Sequence, residues 1–267
     1  MCADSLPAPW GLFAVKALIL AAGYATRLRP LTDSFPKMLL PLAERPMLDY
    51  LLDRIREVGE IDEIHLVTNT QFTPLFREWA PGDVTVHDDG TISNEDRLGA
   101  IGDLAFAIEH GGLAGSDLLV VAGDNLIGYS LRDLVDFWRA KGGSALAVHE
   151  VSDSELLKNY GVVELDEDDR VVGFEEKPAE PRSNLAATAA YLYRAEHAGL
   201  LARYLDEGNP PDAPGNFAAW LHTRAPLHGY RTTGEWHDIG DLGQLLDADN
   251  LLRERAGLPQ RSEYSLD

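Results

Sequence analysis

Short apolar runs alternate with amphipathic stretches along the first 150 residues of the chain. Residues 14–22 are almost entirely apolar and end at Gly23, a pattern typical of a strand buried on both faces of a parallel sheet. Residues 46–58 then carry apolar side chains at helical spacing, with Pro46 suited to the first helical position. This alternation predicts an α/β fold with a Rossmann-like, doubly wound, mostly parallel sheet.

The same rhythm continues to residue 150 and then changes. Strands are predicted at 61–68, 84–87, 117–122 and 145–151, and helices at 74–80, 98–109 and 131–141. Residues 161–165 and 170–175 surround an acidic turn and predict a β-hairpin, which we expect to belong to a small β-rich insertion beside the main sheet. The remaining predictions are a strand at 191–193, helices at 195–206, 217–223 and 241–255, and a strand at 227–232.

No repeat, low-complexity tract or linker divides the sequence into independent parts. We therefore expect an N-terminal extension at 1–13, a single domain at 14–255 and a C-terminal tail at 256–267.

The charge balance is strongly acidic and limits the possible partners. The formal net charge is −21, from 44 acidic and 23 basic side chains, so the surface is expected to repel nucleic acid and anionic membranes. The single cysteine, Cys2, cannot form an internal disulfide. With no secretory signal and no apolar run long enough to span a membrane, we expect a cytoplasmic protein.

The loop 23–32 follows the first buried strand, where backbone N–H groups can receive a phosphate. Arg27 and Lys37 would add positive charge. The loop lacks the Gly-Lys-Ser/Thr ending of a P-loop, and Gly23 is not followed by the other glycines of a dinucleotide fingerprint. Glu44 lies where a ribose-binding acid would keep the dinucleotide alternative open, and a purely structural loop is the other alternative.

The whole stretch from Leu20 to Leu42 resembles the signature of the sugar nucleotidylyltransferase family, such as glucose-1-phosphate thymidylyl- and uridylyltransferases. Four further segments match the family in the same order, namely 123–125, 160–164, 175–178 and 236–240. The resemblance covers about Val15 to about Leu252. It implies an enzyme that joins a nucleoside triphosphate to a sugar 1-phosphate and releases pyrophosphate, with dTTP or UTP and glucose 1-phosphate or a related sugar phosphate as the expected pair.

The resemblance implies that residues 14–150 bind the nucleotide. The implied contacts are Ala22, Gly23, Tyr24, Ala25, Thr26, Arg27, Lys37, Gly99 and Asp124. Within this set, the resemblance assigns Arg27 to the departing pyrophosphate and Lys37 to the phosphates near the reacting centre. The segment 89–102 is expected to pass the base.

The resemblance also implies a magnesium site. Asp124 follows a predicted buried strand, at the edge of a parallel sheet where ligands bind in such folds. Read alone, it would be a turn or helix-capping residue. The family pattern instead assigns Asp124 and Asp238 to Mg²⁺, a cation that prefers carboxylate and phosphate oxygens.

In the family, residues that match 151–240 bind the sugar phosphate. The resemblance assigns Lys177 to the phosphate, Glu176 to sugar hydroxyls, and Tyr160 and Gly161 to the pocket wall. Arg27, Lys37, Asp124 and Lys177 are therefore the implied catalytic residues. Without the resemblance, an adjacent acidic and basic residue on a turn would be read as a solvated surface pair.

Three positions depart from the family pattern. The family usually has Gly at Ala25 and often has Gly within residues 188–190, and thymidylyltransferases often have Gln at Met38. Two alternatives stay open: a catalytically weak homologue that binds nucleotides or nucleotide sugars and regulates a partner, and a guanylyl- or cytidylyltransferase of the same fold. The expected partners are small-molecule substrates, and a homo-oligomer is possible.

Overall fold

The computed structural model describes residues 15–266, so the predicted extension at 1–13 lies outside the described residues. The strands are β1 Val15–Leu20, β2 Pro41–Leu42, β3 Arg45–Pro46, β4 Ile61–Thr68, β5 Val84–Asp88, β6 Asp117–Ala122, β7 Asn125–Ile127, β8 Ser144–Glu150, β9 Gly161–Leu165, β10 Val171–Glu176, β11 Leu185–Tyr193, β12 Leu227–Arg231 and β13 Trp236–Asp238. The helices are α1 Met47–Arg56, α2 Thr73–Trp79, α3 Ala100–His110, α4 Leu131–Lys141, α5 Ser154–Leu157, α6 Ala195–Ala198, α7 Leu201–Asp206, α8 Pro214–Leu221 and α9 Leu242–Ala256.

Within residues 15–266, nine strands form one large sheet. Its main order is β10-β9-β11-β6-β1-β4-β5, and β8 joins β11 and β12 at the side of this path. The centre, from β6 through β1 and β4 to β5, is parallel. The α/β fold with a mostly parallel central sheet is therefore confirmed.

The sheet is covered by helices on both faces, as a doubly wound fold requires. Successive side chains of β1 alternate between two cores: Ala17 and Ile19 lie in one, and Leu18 and Leu20 in the other. Helices α1, α4 and α9 supply the first core, whereas α3, α7 and α8 supply the second. Burying each of these leucine or isoleucine side chains contributes about 1.5–3 kcal/mol, which explains the continuous apolar run of β1.

The predicted β-hairpin is confirmed, but it does not lie apart from the main sheet. Strands β9 and β10 pair in antiparallel fashion, and β9 also pairs with β11. The β-rich region therefore extends the edge of the large sheet.

The central strand β11 is much longer than the sequence indicated. Only residues 191–193 were predicted, whereas the strand spans Leu185–Tyr193 and runs antiparallel to β6 and β8. Its first half is built mostly of alanine, which has low strand propensity. Full burial between neighbouring strands overrides that propensity.

The helix prediction at 195–206 is wrong in its continuity. The chain forms two short helices, α6 and α7, separated at Gly199 and Leu200. The next helix, α8, begins at Pro214 rather than at 217, with the proline in the first turn where its missing N–H costs nothing. None of the described helices combines the length and apolar character needed to span a bilayer.

Candidate active site

A cavity of about 400 Å³ lies at the carboxyl ends of β1 and β6. Ten of the residues implied by the family resemblance line it: Ala22, Gly23, Arg27, Gly99, Asp124, Tyr160, Gly161, Glu176, Lys177 and Asp238. Tyr24, Ala25, Thr26 and Lys37 are not among the lining residues. The fold thus brings segments from both halves of the sequence to one opening.

The loop after β1 presents free backbone donors. The six consecutive N–H groups of residues 22–27 donate to no acceptor within the described part of the chain. Ala25 has φ 45° and ψ 45°, a left-handed conformation that turns the backbone here. A run of unsatisfied N–H groups around such a turn is a concave site for an anion such as phosphate.

Two side chains hold this loop in place from behind. The Thr32 hydroxyl donates a 2.9 Å hydrogen bond to the carbonyl of Ala25. Tyr24 is buried, and its ring packs against Phe72 with 6.3 Å between centroids. Tyr24 therefore anchors the loop in the core, whereas Arg27 is exposed at the cavity.

Lys37 is turned away from the opening and toward a carboxylate. Its side chain is 7% exposed, and Nζ donates to Asp124 Oδ2 at 2.7 Å and to the carbonyl of Ile239 at 2.8 Å. Burial opposes ionisation of Asp124, but the Lys37 ammonium holds the pKa of Asp124 below its ordinary value. Lys37 thus keeps Asp124 ionised and fixed in orientation.

Asp238 reaches Asp124 through a short pair of strands that the sequence did not reveal. Strand β13 pairs with β7 in antiparallel fashion, with Asp238 opposite Asn125. Burial, together with the charge of Asp124, raises the pKa of Asp238 to about 6. A carboxyl whose proton affinity is raised by a neighbouring carboxylate favours a bound cation.

Asn125 and Trp236 were not predicted as functional residues, but they support this acidic pair. Asn125 donates a 2.9 Å hydrogen bond to Asp124 Oδ1 and accepts one from the Trp236 indole N–H. The Trp236 ring also packs edge-on against Tyr160, with 4.8 Å between centroids. Both residues lie within two positions of Asp124 or Asp238 in the sequence, and this closeness was the only sequence feature that could have indicated them.

At the other end of the cavity, Glu176 is packed between two glycines. A Cβ atom on Gly161 would lie 2.9 Å from Glu176 Oε2, and a Cβ on Gly215 would lie 2.1 Å from it. Both positions therefore require glycine while the carboxyl stays in place. Burial raises the pKa of Glu176, and neighbouring Lys177 opposes this shift.

Lys177 follows the strand with an unusual backbone conformation. Its φ is 48°, and its N–H donates to the carbonyl of Tyr160 at 3.0 Å. A left-handed lysine is strained, and such strain is concentrated at functional sites. The Lys177 side chain is exposed at the cavity and forms no ion pair within residues 15–266.

Two alanines with left-handed backbone lie where the family resemblance pointed to glycine, one at position 25 and one within residues 188–190. Ala25 lies in the left-handed region, as described above, and Ala189 has φ 54°. The pairing of β11 with β8 shifts register between Ala187 and Tyr191, so Ala189 lies in a β-bulge. Ala189 also lines the cavity.

The cavity wall next to helix α3 begins at Gly99, where φ is 79°. A side chain there would collide with the loop at Pro211 and Asp212, whose carbonyls accept hydrogen bonds from the first N–H groups of α3. Arg97 and Asp212 form a 3.2 Å ion pair beside the opening.

Asp103, in the first turn of α3, also lines the cavity and was not predicted. A charged residue on the otherwise apolar side of a predicted helix was the missed signal.

The fold and the residues that line the cavity agree with comparisons against known proteins. The family model described as nucleotidyl transferase matches residues 16–255. The chain belongs to the nucleotidyl transferase family, and the resemblance found in the sequence is confirmed.

Three relatives illustrate the range of named activities. A UTP–glucose-1-phosphate uridylyltransferase of Synechocystis sp. is 31% identical over 85% of this chain and 61% of its own length. A glucose-1-phosphate thymidylyltransferase of Streptomyces antibioticus is 30% identical, covering 95% and 70%. A mannose-1-phosphate guanylyltransferase of Mycobacterium tuberculosis is 35% identical, covering 85% and 61%. The chain thus spans 61% of the length of the Synechocystis relative.

Solved structures show the same fold. A UDP-glucose pyrophosphorylase in complex with UDP-glucose superposes with a TM-score of 0.76 at 18% identity, over 90% of this chain and 99% of the other. The enzyme from Acinetobacter baumannii with the same name gives 0.72 at 22% identity, over 91% and 95%.

Proposed function

We propose that this protein condenses a nucleoside triphosphate with a sugar 1-phosphate to give a nucleotide sugar and pyrophosphate. The preferred pair is dTTP or UTP with glucose 1-phosphate or a related sugar phosphate. One observation carries the proposal: a single cavity is lined by the anion-binding loop, by Asp124 and Asp238, and by Glu176 with Lys177. The names of the relatives give the substrate classes.

The proposed reaction is one in-line displacement. A phosphate oxygen of the sugar 1-phosphate attacks the α-phosphorus of the triphosphate, the bond to the bridging oxygen breaks, and pyrophosphate leaves with that oxygen. Because no covalent intermediate is needed, the protein acts by holding two anions in position and compensating their charge.

The residues at the cavity divide this task. The free N–H groups of residues 22–27 and the guanidinium of Arg27 hold the triphosphate, with Arg27 nearest the departing pyrophosphate. Lys177 binds the phosphate of the incoming sugar, and Glu176 accepts hydrogen bonds from its hydroxyls. Lys37, bonded to Asp124 and Ile239, is a positioning residue that acts through Asp124.

Asp124 and Asp238 fit a magnesium ion. No group of three or more potential metal-binding side chains occurs between residues 15 and 266, so the cation would take its remaining ligands from phosphate oxygens and water. Two close carboxylates with phosphate co-ligands are a donor set that Mg²⁺ accepts. When bound, Mg²⁺ neutralises phosphate charge and aligns the reacting groups.

A guanylyltransferase is the second candidate, because the relative of Mycobacterium tuberculosis with that activity in its name is 35% identical to this chain. Uracil, thymine and guanine all carry a ring N–H at their pairing edge, next to a carbonyl group. The three bases implied by the relatives' names therefore share one recognition feature.

The proposal is tested by measuring pyrophosphate release with a panel of triphosphates and sugar 1-phosphates. Release is expected only when a triphosphate and a sugar phosphate are both present with Mg²⁺. Asp124→Asn is expected to remove most activity while the circular dichroism spectrum stays unchanged. Tight nucleotide binding without turnover by any pair would instead favour the regulatory homologue, and normal turnover by Asp124→Asn would refute the metal assignment.

Several narrower expectations remain predictions. These are cytoplasmic location, self-association, the absence of nucleic-acid and membrane binding, and the division into a nucleotide-binding half at 14–150 and a sugar-phosphate-binding half at 151–240.

A further inference from the structure

Asp103 is a buried carboxyl at the cavity that the proposed mechanism does not use. The residue is 5% exposed, yet it lines the cavity together with Gly99 and Ala100. Its Oδ1 atom and Asp89 Oδ2 are both buried, and neither has a hydrogen-bond partner among residues 15–266. Burying a carboxyl costs free energy unless its oxygens have partners, so both oxygens of Asp103 require one.

Asp89 is the partner of the Asp103 carboxyl within the protein. Asp89 Oδ1 accepts hydrogen bonds from the N–H and the hydroxyl of Thr91, at 2.7 and 2.8 Å. The two unpartnered oxygens, Asp89 Oδ2 and Asp103 Oδ1, are both satisfied if one proton is shared between the two carboxyls. Burial and the charge of Asp89 raise the pKa of Asp103 to about 8, so Asp103 carries this proton at neutral pH.

With its proton directed at Asp89, Asp103 has only acceptor capacity left for the cavity. An acceptor repels phosphate oxygens, which are themselves acceptors. The donors suited to phosphate lie instead in the loop 22–27 and at Arg27. The cavity lining also includes the apolar side chains of Leu20 and Ala22, which suit the flat face of a base.

We infer that Asp103 reads the nucleobase by accepting a hydrogen bond from the ring N–H of uracil, thymine or guanine. This inference rests on the proposed function and deepens it. The ring nitrogen at the pairing edge of cytosine or adenine carries no hydrogen, so Asp103 selects against CTP and ATP. Asp89 acts behind it as a positioning residue.

The test compares kcat/KM for the preferred triphosphate with kcat/KM for its analogue methylated at the pairing-edge ring nitrogen, N3 of uracil or thymine and N1 of guanine. Wild-type protein is expected to prefer the unmethylated nucleotide. Asp103→Asn keeps a carbonyl acceptor and can donate to Asp89, so it should retain this preference. Asp103→Ala and Asp103→Leu remove the acceptor and are expected to reduce the preference by about tenfold or more. An unchanged preference in these last two variants, or a wild-type preference for CTP or ATP, overturns the inference.

Asp89→Asn separates base reading from general damage to the buried pair. The Asn amide can donate to Asp103 while its oxygen still accepts from Thr91, so Asp103 keeps an acceptor facing the cavity. We expect Asp89→Asn to retain the base preference within about twofold. An equal loss in both variants would show a merely structural role. Glu109→Gln, at an exposed site on the same helix, is the control expected to match wild type.

Failure of the proposed function can be distinguished from failure of this inference. If no substrate pair releases pyrophosphate, the proposed function fails, and calorimetric binding of UDP and 3-methyl-UDP gives the same comparison without turnover. A preference for UDP that disappears in Asp103→Ala but persists in Asp103→Asn supports base reading. No preference in wild-type protein overturns it.

Discussion

The contact between Lys37 and Asp124 shows how a residue can serve a site without facing its substrate. The pair is joined at 2.7 Å, and the lysine side chain is 7% exposed. Removing one partner of a largely buried ion pair leaves a charge that neither water nor protein compensates fully. The sequence placed both residues at the site, but only the structure shows that one holds the other.

We predict that Lys37→Met lowers the free energy of unfolding by about 2–3 kcal/mol, less than for a fully buried pair because Asp124 is partly exposed. Urea unfolding without metal measures this loss. Lys158 forms an ion pair of the same 2.7 Å length with Glu155, but both side chains are exposed. Lys158→Met should therefore cost about 0.5 kcal/mol or less. Equal losses in the two variants would contradict the role assigned to Lys37.

The carboxyl pair of Asp103 and Asp89 predicts a pH-dependent stability. The pKa of Asp103 is raised to about 8 in the folded protein, mainly by burial and then by Asp89, which itself feels Asp88. Between its ordinary pKa and about 8, the folded state therefore binds a proton that the unfolded state releases. The free energy of unfolding should fall as pH rises through this range.

The measurement is urea unfolding from pH 5 to pH 8 for wild-type protein and Asp103→Asn. The decline with rising pH should be steeper in wild type, because the Asn side chain does not titrate. Parallel curves for the two proteins would contradict the shared proton.

At the scale of single elements, two left-handed alanines lie where the family resemblance pointed to glycine, at position 25 and within residues 188–190. Ala25 turns the loop after β1, and Ala189 forms the bulge in β11. A left-handed conformation costs a non-glycine residue about 1–2 kcal/mol. The departures noted in the sequence therefore coincide with local backbone strain.

We expect Ala25→Gly to leave the free energy of unfolding unchanged or to raise it by up to about 1 kcal/mol, because relief of strain outweighs the added freedom of the unfolded chain. Ala105→Gly, in the middle of α3, is the matched control and should cost about 1 kcal/mol. Thermal unfolding of both variants tests the difference. A loss at Ala25 as large as that at Ala105 would contradict the strain.

The packing of Glu176 against Gly161 and Gly215 makes a prediction for the hairpin β9–β10 and helix α8. In Gly215→Ala the new methyl group displaces the Glu176 carboxyl, so KM for the sugar 1-phosphate should rise about tenfold or more while KM for the triphosphate stays within about twofold. Gly82→Ala is the control, since a Cβ there meets nothing within 4 Å. Equal changes in both KM values would show that the substitution disturbs the whole cavity.

How much the sequence predicted depends on the kind of element. Buried parallel strands such as β1 and β6 can be recognised in the sequence as apolar runs. The amphipathic helix α1 can be recognised by the helical spacing of its apolar residues. The first half of strand β11 was not predicted because its alanines form a strand only through pairing with β6 and β8. The three-residue pair β7 and β13 carries no periodicity of its own.

For the whole molecule, strand order decides which distant residues meet. Strand β11 lies between β6 and β9, so the antiparallel region with Glu176 and Lys177 adjoins the parallel region that carries the loop 22–27. The family resemblance named ten of the residues at the resulting cavity. It did not reveal Asp103, whose buried carboxyl becomes informative only when Asp89 is placed beside it.

The central claim is that one cavity joins a sugar phosphate to the α-phosphorus of a triphosphate. The most direct measurement uses a sugar 1-phosphate labelled with ¹⁸O at its three terminal phosphate oxygens and follows the label by mass spectrometry. We predict that all of the label appears in the nucleotide sugar and none in pyrophosphate, because an oxygen of the sugar phosphate forms the new bond. Label in pyrophosphate, or pyrophosphate released without any nucleotide sugar, would contradict the account.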